Sequence, residues 1–423
     1  MIRSMFSAIS GLRNHQTMMD VVGNNISNVN TTGFKSSAVV FEDVLSQRVQ
    51  GAGQAVGNSG GTNPIGIGLG SRVASITTSF AQGSLQRTGR STDFAIQGDG
   101  FFVTNQNGEA QYTRSGSFSV DALGRVVTNS GAFVQGWQAD AVGNVSTTGP
   151  IGNITVPVGD LVPPVRTSSV RIGGNLPADA AVGTVVTNGV EVFDGQGNPQ
   201  QLRFEYTKTG ANAWGITARY VNPAGTLIPT PPAAGQAVTG GPMIFDISGE
   251  LTSGYNLTLP AGFLPGFPTQ SIAVSLGAAG QGGRINQFGE LTSVAVVEQD
   301  GSSAGSLQGF SVSQEGLLVG TYTNGRTRPI GQMALANFSN PGGLEQVGGS
   351  SFKQTVNSGL PLLGAAGSGS GRGLITAGTL EMSNVDLSQE FTNLIIAQRG
   401  FQANSRVITT SDEMLQEVVN LKR

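Results

Sequence analysis

Any catalysis in this chain would have to begin with His15, the single histidine of 423 residues that include no cysteine. With neither a second imidazole nor a thiolate, the common transition-metal sites are out of reach, because they draw most of their ligands from those two residue types. A serine nucleophile needs an adjacent base, and no serine sits in a G-x-S-x-G elbow between a strand and a helix. The run Gly66-Ile67-Gly68-Leu69-Gly70 lacks the G-x-G-x-x-G spacing and a following helix, so it reads as linker and not as a phosphate cradle. Asp121 and Asp194 open D-x-x-G stretches. An aspartate in that place closes a hairpin turn by accepting its own backbone N–H groups, and the further carboxylates of a calcium loop are missing. No catalytic residue, cofactor or metal is expected, and the chain reads as a non-enzyme.

Composition points to association. Charged residues are 12% of the chain, about half of the roughly 25% usual for soluble proteins. So thinly charged a surface protects a monomer poorly, and other subunits are expected to cover much of it. A formal charge of -3 without long Lys/Arg runs leaves no footprint for nucleic acid. No apolar run approaches the roughly 18 residues that span a bilayer, so membrane insertion is not expected. The N-terminus lacks a continuous apolar region with a small-residue cleavage site, so export with a cleaved signal peptide is not expected either.

The elements that would organise such a subunit are polarised along the chain. Ile2, Met5, Ile9, Leu12, Met19 and Ile26 fall on alternating steps of three and four, with Gln16 and Gly23 in the remaining seam positions. They predict a helix of about 25 residues, roughly 40 Å long. Leu387, Phe391, Leu394, Phe401, Ile408, Leu415 and Val419 follow the same register, interrupted at Gln398, Ser405 and Asp412. Ser383 and Asp386 are spaced as a capping pair for that second helix. A seam broken by polar residues is marginal alone, so the two ends are expected to pack together and against neighbouring subunits. An intramolecular coiled-coil stalk is the alternative.

Between the ends, short apolar runs alternate with turn signals such as Gly98-Asp99-Gly100, Asp194-Gly195 and Asn324-Gly325, which predicts strands. The Gly/Ser-rich stretches 51–70 and 364–373 read as linkers. Phe118-Ser119-Val120 with Gly124 and Val126-Val127 resembles Phe310-Ser311-Val312 with Gly316 and Leu317-Leu318. Two such hairpins flanking a long middle segment suggest one domain built from both halves of the chain, with a second inserted between Pro150 and Gly283. The expected fold class is mainly β with long terminal α-helices. Residues 1–30 and 384–423 form the helical part, 31–75 and 350–383 connect, 76–149 and 284–349 make a discontinuous inner β domain, and 150–283 make an inserted outer β domain.

Asn24-Asn25-Ile26-Ser27-Asn28, continued by Asn30, Thr31, Gly33, Phe34 and Lys35, resembles the NNISNxNTxGFK signature of the rod and hook family of flagellar axial proteins. Ile96 to Phe102 and Tyr112 to Gly116 resemble that family's inner β domain. Ser383-Asn384-Val385-Asp386-Leu387, Gln398-Arg399 and Gln402-Ala403-Asn404 resemble its C-terminal helix. Gly400 stands where the family usually has a bulky aromatic, a departure that costs helix propensity, roughly 1 kcal/mol against alanine. The extra middle segment, with Gly174 to Pro177, Val192 to Asp194, Trp214 and Phe245-Asp246, resembles the hook members, whereas distal rod members are shorter; a distal rod subunit is the alternative. The resemblance implies an extracellular helical homopolymer, a curved flexible tube that transmits torque, with terminal helices lining the lumen, the inner domain in the wall and the insert outward. It implies export by the flagellar type III apparatus and contacts with distal rod, hook cap and hook–filament junction proteins.

Overall fold

The computed structural model describes residues 2–54, 60–140, 143–159, 161–221, 238–239, 241–254, 256–277, 284–369 and 371–420. Helix α1 spans Ile2–Ser27 and helix α2 spans Leu387–Asn420, and strands make up nearly all the regular structure between them. The class expected from the sequence is therefore the one observed. α2 starts where Asp386 Oδ1 accepts the N–H groups of Ser388 at 2.8 Å and Gln389 at 3.3 Å, satisfying donors that the first turn cannot pair. Ser383 takes no part in that cap; its hydroxyl accepts Val385 N–H at 3.4 Å.

The chain divides into two units, the first Met1–Val158, Phe310–Gly320 and Arg328–Arg423, the second Gly159–Gly309 and Thr321–Thr327. In the first, Phe133–Gln138, Phe101–Gln106, Glu109–Thr113, Ser351–Lys353 and Glu345–Gly348 are neighbours in one sheet. Phe101, Tyr112, Phe338 and Phe352 are buried on it, packed edge to face with centroids such as Tyr112–Phe338 at 4.8 Å. Two further ladders, Phe94–Gln97 with Leu374–Ala377 and Leu85–Arg87 with Thr379–Glu381, bring the C-terminal stretch back onto the early strands.

The second unit holds a six-stranded and a five-stranded sheet. Strand Pro199–Gly210 buries every second residue, Leu202, Phe204, Tyr206 and Lys208, as a half-buried strand should. Lys208 is accommodated because its Nζ donates to Ala178 O at 2.5 Å and lies 5.7 Å from the Trp214 ring centroid.

Two expectations change here. The return point near Gly283 lies outside the described residues, and the chain after it stays in the second unit up to Gly309. Strand Ser169–Asn175 pairs in parallel with Ile272–Ser275 and Ile285–Asn286 and antiparallel with Ala295–Gln299. The pairing of Ile285–Asn286 and Ala295–Gln299 with that strand holds both in the sheet of the second unit. The stretch 51–70 is also no simple linker. Ser46–Gln50 pairs with Ile65–Gly68, and Ser37–Asp43 with Ser71–Thr78, so much of 31–75 is antiparallel ribbon. Alternating β-branched residues such as Val39, Val49, Ile65, Ile67, Val73 and Ile76 outweigh the glycines.

Candidate functional site

Where a helix pair meets depends on which side chains let the backbones approach. At the α1–α2 contact those side chains are small or polar. A Cβ on Gly11 would lie 2.9 Å from Asn404 Nδ2, and one on Gly400 would lie 2.4 Å from His15 Cε1 and Nε2. Ala8 and Val22 share that spacing on α1 and are buried, as are Ala397 and Ser411 on α2. The seam read from the sequence is placed differently. Met5, Ile9, Leu12, Met19 and Ile26 are half-buried, as are Leu394, Phe401, Ile408 and Leu415. Leu387, Phe391 and Val419 are exposed, and the side chain of Ile2 lies outside the described residues. Phe6, Ile395, Ile396, Val407, Met414 and Val418 are exposed as well; hydrophobic periodicity missed them because they stand on the flanks of the heptad stripe.

Beyond α1 the chain turns through the Asn-rich stretch. Asn28 N–H is shared between Asn24 O and Asn25 O, each at 3.2 Å, and Asn28 Nδ2 donates to Asn24 Oδ1 at 3.1 Å. The fully buried Asn25 ties three elements together: its Nδ2 donates to Ser37 O at 2.8 Å and Glu390 Oε1 at 3.0 Å, and its Oδ1 accepts Ser37 N–H at 3.0 Å. Gly33 has a φ of 68°, and a Cβ there would strike Ser115 N at 2.4 Å, so only glycine suits the place. Phe34 is buried beside it in sequence. From the other terminus Asn384 Oδ1 accepts Ser36 N–H at 2.8 Å, while its Nδ2 donates to Ser79 O at 2.9 Å. Val385 is half-buried.

Lys35 ends the stretch in a fully buried ion pair, its Nζ 2.6 Å from Glu381 Oε1, with Arg114 Nη1 3.5 Å from Glu381 Oε2. Burial pushes the Lys35 ammonium below the ordinary lysine value, and the Glu381 bond opposes that. Burial likewise lowers Arg114, opposed by Glu381 and Asp99. Sequence reasoning missed Glu381. Its only local signal is an acid closing a stretch, 354–380, whose sole other charge is Arg372.

The carboxylates that could have held a cation bond to backbone instead. Asp121 Oδ1 accepts Leu123 and Arg125 N–H at 2.9 and 2.8 Å, and Asp194 Oδ1 accepts Gln196 and Asn198 N–H, both at 2.8 Å. Asp140 and Asp246 repeat the motif, each with a left-handed glycine at the fourth place. The hairpin at Ser313 to Leu317 closes like that at Asp121 to Arg125, with Ser313 N–H donating to Leu317 O at 2.9 Å and Asp121 N–H to Arg125 O at 2.9 Å. Among the described residues, no group of three His, Cys, Asp or Glu is arranged to hold a metal. Among the described residues no helix is long and apolar enough to cross a membrane.

Four family models match in chain order: Flagella basal body rod protein at 5–35, Flagellar hook protein FlgE/F/G D1 domain at 95–178, Flagellar basal body protein FlaE D2 domain at 174–302, and Flagellar basal body rod FlgEFG protein C-terminal at 376–421. The flagellar hook protein FlgE of Borreliella burgdorferi is 39% identical, with all of both chains covered, and that of Treponema pallidum matches equally. A flagellar basal-body rod protein FlgG of Bacillus subtilis is 28% identical over all of both chains, so the rod alternative is the weaker. The crystal structure of Helicobacter pylori flagellar hook protein FlgE2 shares the fold, with a TM-score of 0.54 at 15% identity over 70% of this chain and 100% of that one. With identity this high over the full length and all four segments in order, the chain belongs to the flagellar hook protein family and is a subunit of the bacterial flagellar hook.

Proposed function

We propose that the chain is a non-enzymatic building block that polymerises with itself into a curved, flexible tube outside the cell, acting as a universal joint that passes torque from rod to filament. One observation carries the reading: apolar side chains are left uncovered on two elements at once. On the ribbon they are Val40, Val44, Leu45, Val49, Ile65, Ile67 and Ile76; on α2 they are Phe391, Ile395, Ile396, Val407, Met414 and Val418. Single exposed apolar residues are ordinary, but runs of them on a chain with 12% charged residues call for covering by further copies. In this assembly the terminal helices line the lumen. Distal rod, hook cap and hook–filament junction proteins are the partners at its ends, and the flagellar type III apparatus exports the subunit. Purified protein, concentrated and imaged by electron microscopy, is expected to form tubes, and purified monomer that stays dispersed under all polymerising conditions refutes the proposal.

A further inference from the structure

The proposed tube requires each subunit to hold its helix pair at a fixed attitude to its β wall, and a single side chain stands at the place where that attitude is set. Glu381 lies on strand Thr379–Glu381 shortly before α2, and Gly33 and Lys35 follow shortly after α1. Four bonds converge on it from three directions. Its Oε1 accepts Lys35 Nζ at 2.6 Å and Gly83 N–H at 2.9 Å. Its Oε2 faces Arg114 Nη1 at 3.5 Å, and its main-chain oxygen accepts Gly33 N–H at 2.8 Å. Both cations are tied down a second time, Lys35 to Ala81 O and Arg114 to Gly98 O, each at 2.8 Å. All three charged side chains are at most 2% exposed.

From this geometry we infer that Glu381 is the positioning residue of the terminal helix pair, holding the chain leaving α1 and the chain entering α2 on one point of the β wall. The inference rests on the proposed assembly for its consequence in the tube, but not for its geometry. A buried ion pair adds little net stability compared with an apolar replacement of equal shape. What it adds is direction, since every bond to the carboxylate has a preferred distance and angle. A wall that merely needed sealing could have used leucine.

Amide hydrogen exchange on the full-length monomer tests the assignment, with tubes from the same variants imaged alongside. Glu381→Asp keeps the charge but is one methylene short of spanning Lys35, Gly83 and Arg114 together. It is expected to raise exchange roughly tenfold at residues 33–37 and 382–390 while amides of Ile96, Phe102 and Val134 keep their protection. Its tubes are expected to show a wider spread of curvature. Lys35→Arg, whose longer fork reaches the shortened carboxylate, is expected to restore protection in that background, a rescue that a merely space-filling role does not provide. Glu381→Gln is expected to be the more severe, because it leaves two buried cations unpaired; should it fail to fold, Glu381→Asp carries the test. Wild-type protection at both segments in Glu381→Asp, or faster exchange spread evenly through the first unit, overturns the inference. Wild-type protein that never polymerises sinks the assembly reading while leaving the exchange result standing.

Discussion

The ring of His15 lies directly on the backbone of Gly400, so close that a methyl group there would sit 2.4 Å from two ring atoms. The same ring meets Phe41 edge to face, with centroids 6.2 Å apart. His15 is thus a spacer between α1, α2 and the ribbon. Gly400 marks close helix packing.

Gly400→Ala is expected to weaken the helix pair although alanine favours a helix by about 1 kcal/mol, because overpacking at such a contact costs about 1–3 kcal/mol. In a His15→Ala background the clash is gone, and the same substitution is expected to become neutral or stabilising. A double-mutant cycle on helix unfolding followed by circular dichroism measures the coupling; additive effects rule out the contact.

Phe391→Asp is expected to abolish tube formation and leave the monomer folded. The ring is 50% exposed in the free chain, so a carboxylate there costs the monomer little, whereas a copy packed over it would bury an unpaired charge. Leu394→Asp is expected to differ by also loosening the helix pair, since Leu394 is already half-buried. Sedimentation of polymerised samples and helix content of the monomers separate the two, and normal tubes from Phe391→Asp rule out a buried contact at that face.

Acid is expected to loosen the turns. At Asp246 the N–H of Glu250 and the hydroxyl of Ser248 hold the carboxyl below its ordinary value. At Asp194 burial pushes upward, but bonds from Asn198, Gln196 and Gly197 outweigh it and the net shift is downward. A folded value below the unfolded one gives stability that is complete above the unfolded value of about 4 and is lost as pH falls through the folded one. Asp194→Ala removes that part at neutral pH, and is expected to lower the melting midpoint of the second unit by roughly 2–4 °C and to flatten its acid dependence below pH 4. Calorimetry from pH 2 to 7 checks both.

The second unit is expected to be removable. Leu161 and Val162 pair antiparallel with Ser306 and Gly305, so the outgoing and returning chains run side by side at about 5 Å, and a short Gly/Ser bridge can replace residues 163–304. The remainder is expected to unfold cooperatively with the β signature of the first unit, and to form straighter or less stable tubes. A deletion protein without a cooperative transition shows that the first unit depends on the second.

How much of this could be read from the sequence depended on the range of the interaction. The two helices were legible from heptads, and the Asp121 and Asp194 turns from four-residue motifs, because both are local. The helix contact was not, since Gly11, Ala397 and Gly400 pack by being small and leave no apolar signal. The ribbon was misread because glycine content masked alternating β-branched residues. The Lys35–Glu381 pair joins positions 346 residues apart, which neither composition nor periodicity encodes.

That difference in range also orders the folding of a newly delivered chain. Each Asp-led turn closes a loop of five residues, within reach of the sub-microsecond contacts that short segments explore. It needs nothing from the rest of the polypeptide. The Glu381 junction waits for the last tenth of the sequence, and until then Lys35 and Arg114 have no carboxylate between them. A chain folding from the unfolded state can therefore acquire its hairpins early, yet remain unlocked at both ends until the strand that carries Glu381 is in place. The helix pair is therefore seated on the first unit only once Glu381 has met Lys35, Gly83 and Arg114. Stopped-flow refolding is expected to show hairpin signals well before α2 is protected, with Glu381→Asp slowing only the later phase.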